Sequence, residues 1–255
     1  MDINSCIAYF IIYSFLGWVL ESVFKTITSK RAVNSGFLYG PLCPIYGFGA
    51  LIMLIFLKSF KDNIILLFIF GFLVLSIWEY IVGFLLEKTF KTKYWDYSNN
   101  KFNIKGRVCL LNSCFWGILG VVFTKLIHPP VQSLIEIVPK ELLLYIDIIL
   151  FMIMIIDYIF SIIKVYNINV NINLLNEISK TIKLELEKIK EYAGNKAKEN
   201  EKLQRVIEEL KQRQDSLKNK IERQTIRLRK AFPTMKSEKI SEFLNQRKES
   251  IRKNK

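Results

Sequence analysis

Apolar residues crowd the first two-thirds of this chain and charged residues crowd the last third. A helix that crosses a bilayer needs about 20 mostly apolar residues. Five stretches approach that length, at roughly 5–24, 42–58, 63–86, 108–128 and 141–164. The second is short unless Gly40–Ile45 is included, and that piece contains Pro41 and Pro44. Its start is therefore predicted to be irregular or re-entrant, which membrane depth tolerates only against protein or water. Beyond residue 166 the pattern changes to a polar helix with apolar residues every seventh position. The predicted fold is all-α: a transmembrane domain over 1–166, with two tandem hairpins and a fifth helix, then a helical tail over 167–255.

Charge sets the orientation. The segment from Asn167 onward holds 23 of the 37 Lys and Arg and 13 of the 23 Asp and Glu, so it carries +10 of the total +14. Within the apolar part, Lys25, Lys30 and Arg31 follow the first span, and Lys88, Lys91, Lys93, Lys101, Lys105 and Arg107 follow the third. The opposite side has only Lys58, Lys61, Lys125 and Lys140. Cytoplasmic loops carry the excess of Lys and Arg. The N-terminus is thus expected outside, and the tail in the cytoplasm of a multi-pass cell-membrane protein. A basic segment beside a span suits anionic lipid. Nucleic acid would need a recognition module, and none is visible.

The first four stretches resemble two copies of one hairpin. At a shift of 66 residues, Gly17 falls on Gly83, Glu21 on Glu87, Phe24-Lys25-Thr26 on Phe90-Lys91-Thr92, Gly40 on Gly106 and Cys43 on Cys109. Ten of the 37 positions from Leu16 to Ile52 are identical to their counterparts. Such copies would be related by an axis along the membrane normal, as in parallel-repeat transporters.

Ionisable residues inside spans are costly and point to function by default. Glu21, Glu79, Glu87, Asp147 and Asp157 are of this kind. Glu21 has Lys25 four residues on, and Glu87 has Lys91, the favourable order for a helical pair. These pairs read either as interfacial anchors or as a pseudo-symmetric cytoplasmic gate. Glu79 lies deeper, and Asp157 is expected at a similar depth. Two carboxylates at one level could share a proton, hold a cation, or each bond across helices. Asp147 is expected near the outer interface.

The run Gly36-Phe37-Leu38-Tyr39-Gly40-Pro41-Leu42-Cys43-Pro44-Ile45-Tyr46-Gly47 cannot form a regular helix. Gly36, Gly40, Pro41, Pro44, Tyr46 and Gly47 form a candidate ligand loop whose backbone groups could coordinate a solute. The plainer alternative is a loop that turns the chain. Tyr94-Trp95-Asp96-Tyr97 reads as an aromatic belt anchor. Cys6, Cys43, Cys109 and Cys114 form no CxxC pair, and His128 is the only histidine, so neither a metal site nor a cofactor is expected.

In the tail, Leu175, Ile182, Ile189, Leu203, Leu210 and Leu217 lie in one heptad row that Lys196 interrupts. This is an imperfect coiled coil. It could self-associate through 174–230, fold back at Gly194-Asn195 as a hairpin, or lie on anionic lipid. Pro233 ends the run, and a short helix is expected near 237–252.

Three segments carry a family resemblance: Phe15-Leu16-Gly17-Trp18-Val19-Leu20-Glu21, the Gly36–Gly47 run, and Tyr94-Trp95-Asp96-Tyr97-Ser98. With them, residues 5–125 resemble bacterial ABC-transporter permeases of the CmpB type. The Gly-Pro-x-Cys-Pro-Ile-Tyr-Gly run is the specific part. The resemblance implies a transmembrane permease subunit that works with a separate ATPase. The chain has no GxxxxGK[ST] sequence, so it is not expected to be an enzyme that hydrolyses ATP through a P-loop. The leading expectation is a permease subunit that moves a small solute or ion as an oligomer, through a site near Glu79 and Asp157. The alternative is a non-transporting scaffold or sensor whose tail recruits a partner.

Overall fold

The computed structural model describes residues 3–191 and 197–253. Eight α-helices follow in order: α1 (Ile3–Ser29), α2 (Pro44–Phe56), α3 (Ile64–Phe90), α4 (Leu110–Val122), α5 (His128–Ile137), α6 (Lys140–Glu191), α7 (Ala197–Ala231) and α8 (Glu238–Lys253). A 3-10 turn over Lys58–Phe60 leads to α3, and a π turn over Phe123–Ile127 joins α4 to α5. Among the described residues there are no strands, only two isolated bridges.

Four helical stretches are long and apolar enough to cross a membrane: Ile3–Ser29, Ile64–Phe90, Leu110–Ile137 and Lys140–Ile189. In the most apolar window of α3, only 22% is buried by protein. Its outward Ile69, Leu73 and Ile77 are exposed, a surface that suits lipid rather than water. The stretch expected over 42–58 is different. Its helix has 13 residues, about 20 Å at ~1.5 Å per residue, against roughly 30 Å of hydrocarbon. Proline explains the late start: Pro44 fits the first helical position, where its missing N–H costs nothing. The preceding loop runs back along α1, and Cys43 N donates to Ser14 O at 2.9 Å, midway along that helix.

The chain divides into two compact units, residues 1–161 with 229–237 and residues 162–228 with 238–255. The sequence pattern places all of 167–255 in the tail; in the structure, the short segment around Pro233 belongs to the first unit.

In the first unit, α1 packs on α2 and α3 packs on α4. Glycines permit the second contact: a Cβ on Gly71 would stand 3.2 Å from the Gly120 Cα. Small residues at crossings let membrane helices approach this closely. The core runs through Tyr9 and Tyr13 of α1, Met53 of α2, Leu67 and Leu75 of α3, and Phe123 of the π turn. α3 opens on Asn63, whose Oδ1 accepts from Ile65 N and Leu66 N at 3.0 and 3.1 Å, a side-chain cap for amides that would otherwise lack partners.

In the second unit, the end of α6 and α7 lie antiparallel. Asn171 Nδ2 donates to Gln224 Oε1, and Gln214 Nε2 donates to Ser179 Oγ. Ile178, Ile182 and Ile207 form the buried seam, with Leu210 and Leu217 against it. The heptad row thus faces its own chain. The break expected at Gly194-Asn195 lies outside the described residues.

Candidate functional site

Glu79, in the middle of α3, is a buried carboxylate of the first unit, 5% exposed. Three donors converge on it. Trp116 Nε1 of α4 donates to Oε2 at 2.9 Å, Tyr97 OH donates to Oε1 at 3.2 Å, and the Asn112 side chain adds a third bond. All three are neutral, and no cation pairs with Glu79 among the described residues. Tyr97 reaches this depth because the 91–109 loop folds inward. Its N–H binds Gly106 O, and Gly106 turns the loop with φ of +71° and its own N–H on Asn103 Oδ1. Burial first, and then the neighbouring Glu79, hold the Tyr97 phenol well above its usual range, so it remains a donor.

Glu21 of α1 faces the same centre. Its Oε1 accepts from Lys25 Nζ at 2.6 Å, and the Cys43 thiol lies 3.8 Å from Oε2. Tyr46 sits between the two carboxylates, within electrostatic reach of Glu21, Glu79, Cys43 and Tyr97. Gly17 makes room for it, since a Cβ there would overlap the Tyr46 ring. The result is a polar centre built from α1, α2, α3, α4 and both inward loops, enclosed by apolar helices.

The remaining predicted residues are placed elsewhere. Glu87 does not pair with Lys91. Lys91 takes a left-handed conformation that ends α3, which carries its side chain away from the i+4 position. Arg107 binds Glu87 Oε2 instead, through Nε at 3.0 Å and Nη2 at 2.7 Å, and its Nη1 reaches Tyr80 OH at 3.1 Å. Asp157 does not face Glu79 as a partner. It accepts from Tyr39 N at 3.0 Å and Gly40 N at 2.7 Å, with Ser161 Oγ at 3.4 Å. The Gly/Pro loop is therefore stapled to α6 by a carboxylate. In that loop Gly36, at φ +94°, makes a turn that side chains resist, and a Cβ on it would meet the Cys43 sulfur. Pro41 is exposed, Pro44 opens α2, and Gly47 presses its bare Cα against Phe10 and Ser14.

Asp147, near the start of α6, is 2% exposed, and its Oδ2 has no hydrogen-bond partner among the described residues. Tyr94 is likewise buried, and Trp95 Nε1 bonds Arg107 O at 2.9 Å. The aromatic cluster read as a belt anchor thus organises the inward loop. Sequence reasoning missed Trp116, Asn112, Arg107 and Tyr97 as partners of the carboxylates. For Tyr97 and Arg107 the available signal was the density of aromatic and amide residues in a loop that needed few; Asn112 and Trp116 lie in α4.

The fold and this centre define a polytopic helical membrane protein with an enclosed carboxylate site. The family model described as Putative ABC-transporter type IV matches residues 8–162, more than half of the chain, and the chain belongs to that family. No curated protein and no solved structure matches it.

Proposed function

We propose that this chain is the membrane-embedded permease subunit of a transporter, and that its solute or ion binds at the Glu79 centre. The observation that carries this reading is a buried carboxylate with three neutral donors and, among the described residues, no counter-cation. A proton, a metal cation or a cationic group of a solute would supply the missing charge. Glu21, already paired with Lys25, lies beside it toward the cytoplasmic ends of the spans.

An alternating arrangement would follow if the first two hairpins are repeats of one another, with the helical stretch after them outside the repeat. α2 and α4 each have 13 residues, and their flanking Cys43 and Cys109 stand 66 positions apart. Gly47 meets Phe10 in the first hairpin, and Ser113 meets Ser76 at 2.7 Å in the second, the same pair of positions shifted by 66. Glu21 and Glu87 each bind a cation in their own hairpin. On this reading α2 completes its crossing with the inward loop, the N-terminus is outside and the tail cytoplasmic. The chain carries no ATP chemistry of its own, a separate subunit hydrolyses ATP, and an oligomer supplies the full pathway.

The test is ATP-driven uptake by the native complex in proteoliposomes. Glu79→Gln keeps the side chain's size, removes the charge and turns one acceptor oxygen into a donor NH2, so uptake should fall at least tenfold while the protein remains folded. Unchanged uptake by a folded Glu79→Gln protein refutes this site. The second reading, a scaffold whose tail recruits a partner, draws support from the self-contained α6–α7 hairpin. It predicts that partner capture survives in Glu79→Gln and is lost when the hairpin seam is broken.

A further inference from the structure

The segment Phe232–Lys236 interrupts the helical tail with a turn, Met235 N donating to Phe232 O at 3.1 Å, and is held to the 91–109 loop of the first unit. Lys93 N donates to Lys236 O at 2.9 Å, and Lys236 N donates to Lys93 O at 2.8 Å. This is a single hydrogen-bonded antiparallel bridge. Lys236 Nζ pairs with Asp96, and Asp96 N reaches Thr234 Oγ1 at 3.4 Å. The Phe232 ring stands edge-on to Tyr94, with centroids 4.9 Å apart. Pro233 follows it and prevents α7 from continuing.

The other side of this contact leads to the polar centre. Lys25 Nζ lies 5.0 Å from the Phe232 ring centroid, within cation–π range. The same ammonium donates to Glu21, to Ser35 Oγ at 2.9 Å and to the carbonyl of Ala231. Lys25 has three N–H groups, and these three acceptors match them. Ala231 is fully buried. A continuous chain of contacts therefore runs from the tail segment through Lys25 to Glu21, Cys43 and the Glu79 centre.

We propose that Phe232–Lys236 is a strap that closes the cytoplasmic end of the Glu79 centre and must release to open it. The strap continues covalently at both ends into the second unit, through α7 before it and α8 after it. A force or partner acting on that unit can therefore act on the strap along the chain. Release would free the third donor of Lys25 and uncover Glu21. The attachment is short and non-covalent: one pair of backbone bonds, the Lys236–Asp96 ion pair, whose side chains are 66% and 3% exposed, and the Phe232 ring contacts. This inference rests on the Glu79 centre as the transport site.

Cys43 reports the state of the strap without any transport. It lies against Glu21 and is 2% exposed. The full-length protein, in lipid vesicles, would be treated with N-ethylmaleimide, and alkylation at each cysteine read by peptide mass spectrometry. Phe232→Ala is expected to speed Cys43 alkylation at least tenfold, with Cys6 unchanged as the internal reference. A Lys93→Cys/Lys236→Cys pair, at the Cα spacing of a hydrogen-bonded antiparallel pair that a disulfide accepts, should hold Cys43 below the wild-type rate when oxidised. Reducing the disulfide and removing the reductant should raise Cys43 alkylation to the wild-type rate or above it. Equal Cys43 rates in the wild type, Phe232→Ala and the oxidised pair would overturn the proposal, provided hydrogen exchange shows the strap released in Phe232→Ala. If that variant does not fold, equal rates in the oxidised and reduced pair overturn it alone. A strap that gates Cys43 in a protein whose Glu79→Gln form still transports would leave the gate standing and remove the transport site.

Discussion

Glu87 and Arg107 lie 20 residues apart in the chain and meet with Arg107 Nη2 at 2.7 Å from Glu87 Oε2. The guanidinium also stacks near the Tyr80 and Phe84 rings, at 5.2 and 5.3 Å from their centroids. The pair ties the inward loop to the end of α3, and that loop carries Tyr97 to Glu79. Its side chains are 12% and 31% exposed for Arg107 and Glu87, so removing one partner leaves a half-desolvated charge. Arg107→Ala should cost about 2–3 kcal/mol, near the lower end of what breaking a buried pair costs. The reversed pair Glu87→Arg/Arg107→Glu should recover part of that. Thermal unfolding in detergent measures both, and a loss within error of zero for Arg107→Ala would show that the loop is held by its amide network alone.

Asp157 offers a second check. Its two oxygens take the backbone N–H groups of Tyr39 and Gly40. Charge-assisted bonds of this kind are about twice as strong as neutral ones. Asp157→Ala should therefore raise hydrogen exchange at these two amides at least tenfold, while amides in α3 stay protected. Equal exchange in both proteins would mean that the loop holds its shape without α6.

The long helices and the embedded carboxylates are conspicuous in the sequence because both depend on local chemistry. A run of apolar residues predicts a helix such as α3, and Glu79 stands out against it. Pro41 and Pro44 likewise mark an irregular start to α2. The partners are another matter. The i+4 rule favours Lys91 for Glu87, but it holds only while the helix continues, and the left-handed turn at Lys91 stops it there. Arg107 becomes the partner because the loop folds back, a consequence of Asn103, Gly106 and Tyr97 acting together. Depth alone suggested a Glu79–Asp157 site. Helix packing instead turns Asp157 toward a loop whose bent backbone needs acceptors. The strap has no periodicity to betray it, and Pro233 announces only a break.

The strap also carries a pH dependence. Burial pushes the Asp96 carboxyl up, but its ion pair with Lys236 and its bonds from Ser98 outweigh this and hold it below the usual carboxylate range. A carboxylate with a lowered folded pKa contributes stability that is complete above its unfolded pKa, near 3.9, and disappears as pH falls through the folded value. The melting-temperature difference between wild type and Asp96→Asn should therefore stay constant from pH 7 to about 5 and shrink below about 4. A difference that changes between pH 5 and 7 would assign the effect to another group.

The tail hairpin can be separated from self-association by one substitution. Ile207 is 4% exposed and packs against Ile178 and Ile182 of the same chain. A buried unpaired carboxylate is costly, so Ile207→Asp should open the α6–α7 hairpin. If the seam serves only its own chain, protease cleavage within 197–231 should rise severalfold while the oligomer mass of the full-length protein stays the same. If the heptad row instead joins two chains, as an imperfect coiled coil would, the same substitution should lower the mass by dissociation. Light scattering in detergent, run beside limited proteolysis, distinguishes the two. The intramolecular bonds Asn171–Gln224 and Ser179–Gln214 favour the first outcome, because they fix an antiparallel register that one chain already satisfies.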